Sequence, residues 1–170
     1  MHTVTGTATR PAPSVEARVE PSRSHIASLQ VLVYGTLRKG EANSRLFAGG
    51  RGVYGETIRI EGYALVASEG AWFPYAVPQE GSSIVCEVVS LSVERRGEVL
   101  SSLDGLEGYR ANDPSSLYCR EIVSWMDAAG MRREAFMYVP SEASQARIMR
   151  SAQVIQGGDW LNRSPHAQSL

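Results

Sequence analysis

"VLVYGTLRKG", Val31–Gly40, runs three apolar residues into a tyrosine, then into a small-residue turn carrying two cations. The apolar run reads as a buried strand. The turn exposes backbone: Gly35 and Gly40 permit a tight bend whose amides can approach an anion. The two glycines stand five apart as in a phosphate-binding loop, but Glu41 and Ala42 follow where lysine and serine or threonine are required. A nucleotide is therefore excluded, and a small carboxylate suits the turn. Two readings stand for the stretch: an anion-holding nest, or a strand-to-loop turn with Arg38 and Lys39 facing solvent.

Around this stretch the chain has 170 residues, 43% of them hydrophobic, enough for one core and one domain. Its 17 basic and 18 acidic residues are interleaved and sum to −1, so no nucleic-acid or anionic-membrane footprint is present. Cys86 and Cys119 are too few for a disulfide framework or a zinc site, and a cytoplasmic location is expected. Residues 1–28 lack Leu, Phe, Tyr and Trp, contain Pro11, Pro13 and Pro21, and read as a disordered extension without a signal-type apolar run. The folded domain is expected at residues 29–162, with a flexible tail at 163–170. No run of 18 apolar residues suggests a membrane span.

Turn signals divide the domain into short β-rich segments. Strands are expected at Leu29–Tyr34, Val53–Ile60, Gly62–Ala67, Ile84–Leu91, Tyr118–Met126 and Arg132–Val139, the last two forming a hairpin across residues 127–130. Between them, "SVERRGEVLSSLDGLEGY" places Val99, Leu100, Leu103 and Leu106 at helical spacing, with Ser92 as the expected cap and Gly108 as the stop. A second helix is expected at Glu142–Ser151. Trp160 and Leu161 are expected to dock back on the body. Many strands and few helices without alternation imply an α+β fold with a curved or barrel-like sheet and flanking helices.

The chemistry is bounded by elimination. His2, His25 and His166 all fall in segments read as tails, which removes histidine as base or metal ligand from the body. Proton transfer then falls to a carboxylate, a tyrosine or Lys39, the only lysine. Glu107 continues the Leu100–Leu103 stripe and so projects inward, where desolvation raises a carboxyl toward the range of a general base. Equally, Gly105 and Gly108 could break the register and turn it outward, or an arginine could neutralise it. Asp104 lies off the stripe and reads as a surface residue. Tyr118 and Tyr138 read as core strand residues with satisfied hydroxyls, Glu87 as an outward-facing strand residue, and Arg120 and Glu121 as cross-strand partners. "AWFPYAVP", Ala71–Pro78, reads as a packed loop that could floor a pocket.

The motif Tyr34-Gly35-Thr36-Leu37-Arg38-Lys39-Gly40 after an apolar strand resembles the signature of the gamma-glutamylcyclotransferase-like family. In the same order, "CEVVSLS" is similar to that family's strand before its helix, "LDGLEGY" to its glutamate-bearing segment, and "SLYCREIV" and "AFMYVP" to its hairpin. "GGDW", Gly157–Trp160, is similar to the terminal motif of bacterial members. The resemblance implies a small mixed β-barrel with flanking helices and a cavity at the Tyr-Gly-Thr-Leu loop. It implies that Tyr34, Gly35, Thr36 and Leu37 hold a glutamyl head group, that Glu107 is the general acid/base, and that Tyr118 and Tyr138 contribute to substrate binding.

The reaction so implied cyclises a gamma-glutamyl amide: its α-amine attacks its γ-carbonyl, releasing 5-oxoproline and a free amine. Such a reaction needs no protein nucleophile, metal or cofactor, which accords with a body free of histidine. The expected partner is a small-molecule gamma-glutamyl substrate, with neither nucleic acid nor membrane. The alternative is a non-catalytic binding module that holds a small amino-acid-like ligand in the same cavity.

Overall fold

A computed structural model describes residues 29–163. The extension expected at 1–28, the tail beyond Arg163 and all three histidines lie outside the described residues. Val31, Leu32 and Val33 are all buried because both faces of their strand, β1 (Gln30–Val33), are covered. Val31 and Val33 pack with Val99 and Leu103 of helix α1 (Arg96–Glu107), while Leu32 and Tyr34 enter a second cluster with Leu65, Ile84 and Trp160. An uninterrupted apolar run is what such a strand requires.

The remaining elements are β2 (Gly52–Ser68), β3 (Tyr75–Leu91), β4 (Tyr118–Met126), β5 (Arg132–Pro140), helix α2 (Glu142–Ile148) and β6 (Ala152–Val154). The six strands form one mixed sheet in the order β4, β5, β1, β3, β2, β6. β1 runs parallel to β5, with Val31 opposite Phe136, and the other pairs are antiparallel. The expected strands at 53–60 and 62–67 are one strand, β2. Gly62 does not end it but takes a φ of 87° beside a register shift, and a second shift lies between Tyr54 and Thr57. These bulges bend and twist the long β2–β3 ladder, so the sheet curls into a half-barrel with two helices. β3 starts at Tyr75, earlier than expected, because Pro78 sits opposite Tyr63 at the bulge, where a ladder accepts proline. β6, only three residues long, has no counterpart among the expected strands.

Helix α1 buries Val99 and Leu103, as its spacing predicts. Ser92 does not cap it: the helix begins at Arg96, and the Ser92 carbonyl instead closes a turn by accepting from the Arg95 N–H at 3.2 Å. Gly108 does end it, in the left-handed conformation with its N–H on the Asp104 carbonyl. Ser141 caps α2, accepting from the Ser144 N–H. In the C-terminal "GGDW", Trp160 is buried in the core, while Leu161 beyond it stays partly exposed.

Gly158 makes that docking possible. It has a φ of 64°, and a Cβ there would stand 2.2 Å from the Ser83 carbonyl oxygen on β3. Gly158→Ala should therefore cost about 3 kcal/mol or more of stability through combined clash and strain. Gly105→Ala, inside α1 with nothing within 4 Å of the added carbon, should stabilise by about 0.5–1 kcal/mol. Chemical denaturation of the two variants checks both signs.

Candidate active site

Where β1 ends, Tyr34 turns the chain into the loop, and its hydroxyl donates to the Tyr138 carbonyl on β5 at 2.6 Å. The Tyr34 oxygen also accepts from the Ala76 N–H. That hydroxyl is thus committed to joining strands, and only the ring of Tyr34 is left to face a ligand. The loop is closed by the Arg38 N–H on the Gly35 carbonyl at 3.0 Å and the Asn43 N–H on the Thr36 carbonyl at 2.9 Å. Asn43 Nδ2 also donates to Thr36 Oγ1 at 3.0 Å. None of these bonds uses the N–H groups of Gly35, Thr36 or Leu37. Behind Gly35 stands Pro74, so close that a Cβ on the glycine would lie 2.8 Å from the proline ring.

Arg38 corrects the solvent-facing reading. It is 3% exposed, with Nη1 on Asp159 Oδ1 at 2.5 Å and Nε 3.5 Å from Glu87 Oε2. Glu87, read from sequence as outward-facing, is instead tucked under the loop, where it also accepts from the Lys39 N–H at 2.8 Å. A cation this buried requires such partners. Burial alone would raise Asp159, but hydrogen bonds from Arg38 and the Leu161 N–H hold its carboxyl below the usual range. Lys39 keeps its side chain in solvent.

The loop forms one wall of a cavity of about 390 Å³, and the other walls come from the end of α1, the start of β4, β5 and residues 72–74. Tyr34, Gly35, Thr36, Leu37, Glu107, Tyr118 and Tyr138, the candidates read from the sequence, all line it. Glu107 is the last residue of α1 and is half-buried. It makes no hydrogen bond or ion pair among the described residues, so neither outward escape nor neutralisation by an arginine applies. Burial pushes its carboxyl up from 4.5 to about 7, and its place at the negative end of a helix acts in the same direction.

Asp104, three residues earlier, is not a surface residue. It takes Arg120 Nη1 on both carboxylate oxygens at 3.0 Å and accepts from the Tyr138 hydroxyl at 2.6 Å. Arg120 therefore pairs with the helix and not across the sheet, and its guanidinium lies over the rings of Tyr109 and Phe136. Burial, reinforced by the bond to Asp104, raises the Tyr138 hydroxyl. Tyr118 differs: it stacks on Tyr75 at 6.0 Å between ring centres. Burial and then the nearby Glu107 charge raise its hydroxyl, which has no hydrogen-bond partner among the described residues. Of the titratable side chains that line the cavity, Glu107 and Tyr118 have no hydrogen-bond partner among the described residues.

These features match a known family. A sequence profile described as gamma-glutamyl cyclotransferase, AIG2-like matches residues 31–162. The chain belongs to this family. Among solved structures it is similar to an uncharacterized protein of Pyrococcus horikoshii, at 22% identity over 78% of this chain and 89% of that one, with a TM-score of 0.52. It is also similar to ytfP of Escherichia coli, at 25% identity over 78% and 96% with a TM-score of 0.51. An AIG2-like protein of Mus musculus aligns at 22% identity over 66% and 77%, TM-score 0.50. Comparison with curated proteins found no match.

Sequence reasoning missed Asp104 and Arg120, whose partnership joins the helix to the hairpin, and Asn43, which fastens the loop. It placed "AWFPYAVP" as a possible pocket floor; Trp72, Phe73 and Pro74 of that segment do line the cavity, while Tyr75–Pro78 opens β3.

Two outcomes are expected. Asp159→Asn leaves Arg38 short of a carboxylate and should cost about 3 kcal/mol, as breaking a buried pair does, read as a lowered denaturation midpoint. Glu107 binds its proton more tightly folded than unfolded, so its contribution to stability is complete below about pH 4.5 and is lost as pH rises through about 7. Glu107→Gln should abolish that loss, and its melting temperature should exceed the parent's at pH 8 by more than at pH 4.

Proposed function

We propose that the protein cleaves a gamma-glutamyl amide by intramolecular attack of the substrate's α-amine, releasing 5-oxoproline and a free amine. Members of the family are generally cyclotransferases. The observation that carries the reading here is Glu107: a carboxyl without a partner on the cavity wall, raised by burial to about 7, close to working pH. Structural carboxylates in this fold are paired, as Asp104, Glu87 and Asp159 are. Glu107 is held at a cost and left free.

In this reading the N–H groups of Gly35, Thr36 and Leu37 anchor the substrate's α-carboxylate and fold the glutamyl chain so that amine and γ-carbonyl meet. Well-placed ends already supply a large part of the rate, because the effective molarity of an oriented intramolecular reaction is high. Ionised Glu107 takes a proton from the α-ammonium as nitrogen attacks. The five-membered ring closes, the γ C–N bond breaks, Glu107 returns that proton to the departing nitrogen, and the second proton shed by the α-nitrogen follows it, so that the amine leaves as an ammonium. Tyr118 is the available donor for the developing oxyanion. Asp104 and Arg120 act through Tyr138, holding the end of α1 against the hairpin so that Glu107 stays aimed.

Incubation with a panel of gamma-glutamyl amides, followed by mass spectrometry for 5-oxoproline, tests the reading. Glu107→Gln should keep the fold and lose about 10²- to 10⁴-fold in turnover. kcat/KM should rise with pH through about 7, since the base works ionised. Ligand-induced thermal stabilisation with no 5-oxoproline from any amide would instead favour a binding module.

A further inference from the structure

An open sheet has two edges, and this chain treats them differently. On the β2 side, β6 covers only Val66, Ala67 and Ser68. The rest of β2 carries exposed Glu56, Arg59 and Glu61 and is broken by two register shifts. Charges and bulges of this kind keep a sheet edge from pairing with another chain.

β4, at the other end of the sheet, is built without them. Its 9 residues pair with β5 in unbroken register, with no proline and no bulge before Pro140 opposite Tyr118. Among the described residues its backbone bonds to nothing outside that ladder. Alternate residues of such a strand aim their N–H and C=O groups away from the existing partner, so β4 presents a row of them to solvent. Of its two charges, Arg120 is drawn over the sheet to Asp104 and the rings of Tyr109 and Phe136, which leaves Glu121. Apolar side chains are exposed in their place: Ile122 at 43% and Met126 at 63%, both on one face of the strand.

We propose that the protein self-associates through this edge, two β4 strands pairing antiparallel across a two-fold axis at Ile122 to make one continuous sheet. The proposal does not depend on the reaction. Full-length pairing fixes the register, because the first residue of one strand then faces the last of the other. Ile122, the middle residue, lies on the axis against Ile122 of the second copy. Tyr118 faces Met126, Arg120 faces Ser124 and Glu121 faces Val123, so apolar groups meet at the centre and no like charges are opposed. Moving the axis to Ser124 would shorten the ladder and set Glu121 against Asp127, two carboxylates. The occupant is a second copy because the edge is complementary to itself, and a two-fold uses each of these contacts twice.

Sedimentation equilibrium of the full chain between about 1 µM and 1 mM tests the proposal, since one strand pair makes an interface of the small, transient class. The parent should show a monomer–dimer equilibrium within that range. Ile122→Lys and Ile122→Glu should each weaken dimerisation by about tenfold or more, because the substituted residue meets its own like charge on the axis. An equimolar mixture of the two variants should regain association, as opposite charges then meet. Both variants alter an exposed side chain, so their melting temperatures in dilute solution should match the parent's. Hydrogen exchange of the β4 amides in the parent should slow as the concentration rises. A chain that stays monomeric throughout the range overturns the proposal, and so does a dimer that both variants leave intact. Weakened variants that do not recover on mixing overturn the pairing at Ile122. Full protection of β4 already in the dilute monomer also overturns the proposal, because another part of the chain then covers the edge.

Discussion

A guanidinium with almost no access to water must be surrounded by carboxylates or it cannot stay charged and folded. Arg38 is that group. Its partners, Asp159 and Glu87, come from distant parts of the chain, one from the C-terminal "GGDW" and one from β3. The consequence is mechanical: the turn that lines the cavity is fastened by side chains that do not line it. The Lys39 N–H on Glu87 and the Asn43 N–H on the Thr36 carbonyl complete the fastening. If the loop holds a carboxylate as proposed, it could not do so in one pose while its own conformation fluctuated, and the buried ion cluster would serve the site without touching it.

The same division of labour recurs on the opposite wall. Asp104 and Glu107 stand one turn apart on α1, yet they meet opposite fates. Asp104 is consumed by Arg120 and Tyr138 and locks the helix end to β4 and β5. Glu107 lies on the apolar side, receives no partner among the described residues and is raised by burial. Two carboxyls three residues apart in sequence are separated into a clamp and an unpaired, buried acid by the direction in which each leaves the helix. Gly108, left-handed at the helix end, stops α1 where this separation is made.

The legibility of these features in the sequence depends on the range of the interactions behind them. Glu107 is legible because its inward direction is a local property, set by its spacing from Leu100 and Leu103. The end of β1 and the β4–β5 hairpin are legible for the same reason. Arg38 is not, because its carboxylates are far away, Asp159 by 121 residues, and nothing near Arg38 in the chain distinguishes a solvated arginine from a buried one. Asp104 misleads because departure from an apolar stripe implies solvent only when no other element lies on that side; here the β4–β5 hairpin does. Gly62 resembles the boundary of two strands because glycine ends a strand and bulges one with the same local signature. Only the pairing of β2 with β3 distinguishes the two.

A site with one free carboxyl, one free phenol and a few amides is poor equipment for attacking an external substrate, and it is adequate for a substrate that attacks itself. In the proposed reaction the nucleophile arrives with the ligand, so the protein's task reduces to posing a flexible chain and moving a proton. That task explains why an apolar cavity is useful: low polarity keeps Glu107 near neutrality and able both to accept and to donate, whereas a nearby cation would depress it and leave a base too weak to deprotonate an ammonium. The absence of arginine and lysine from the cavity wall, among the described residues, thus leaves burial to set the proton affinity of Glu107.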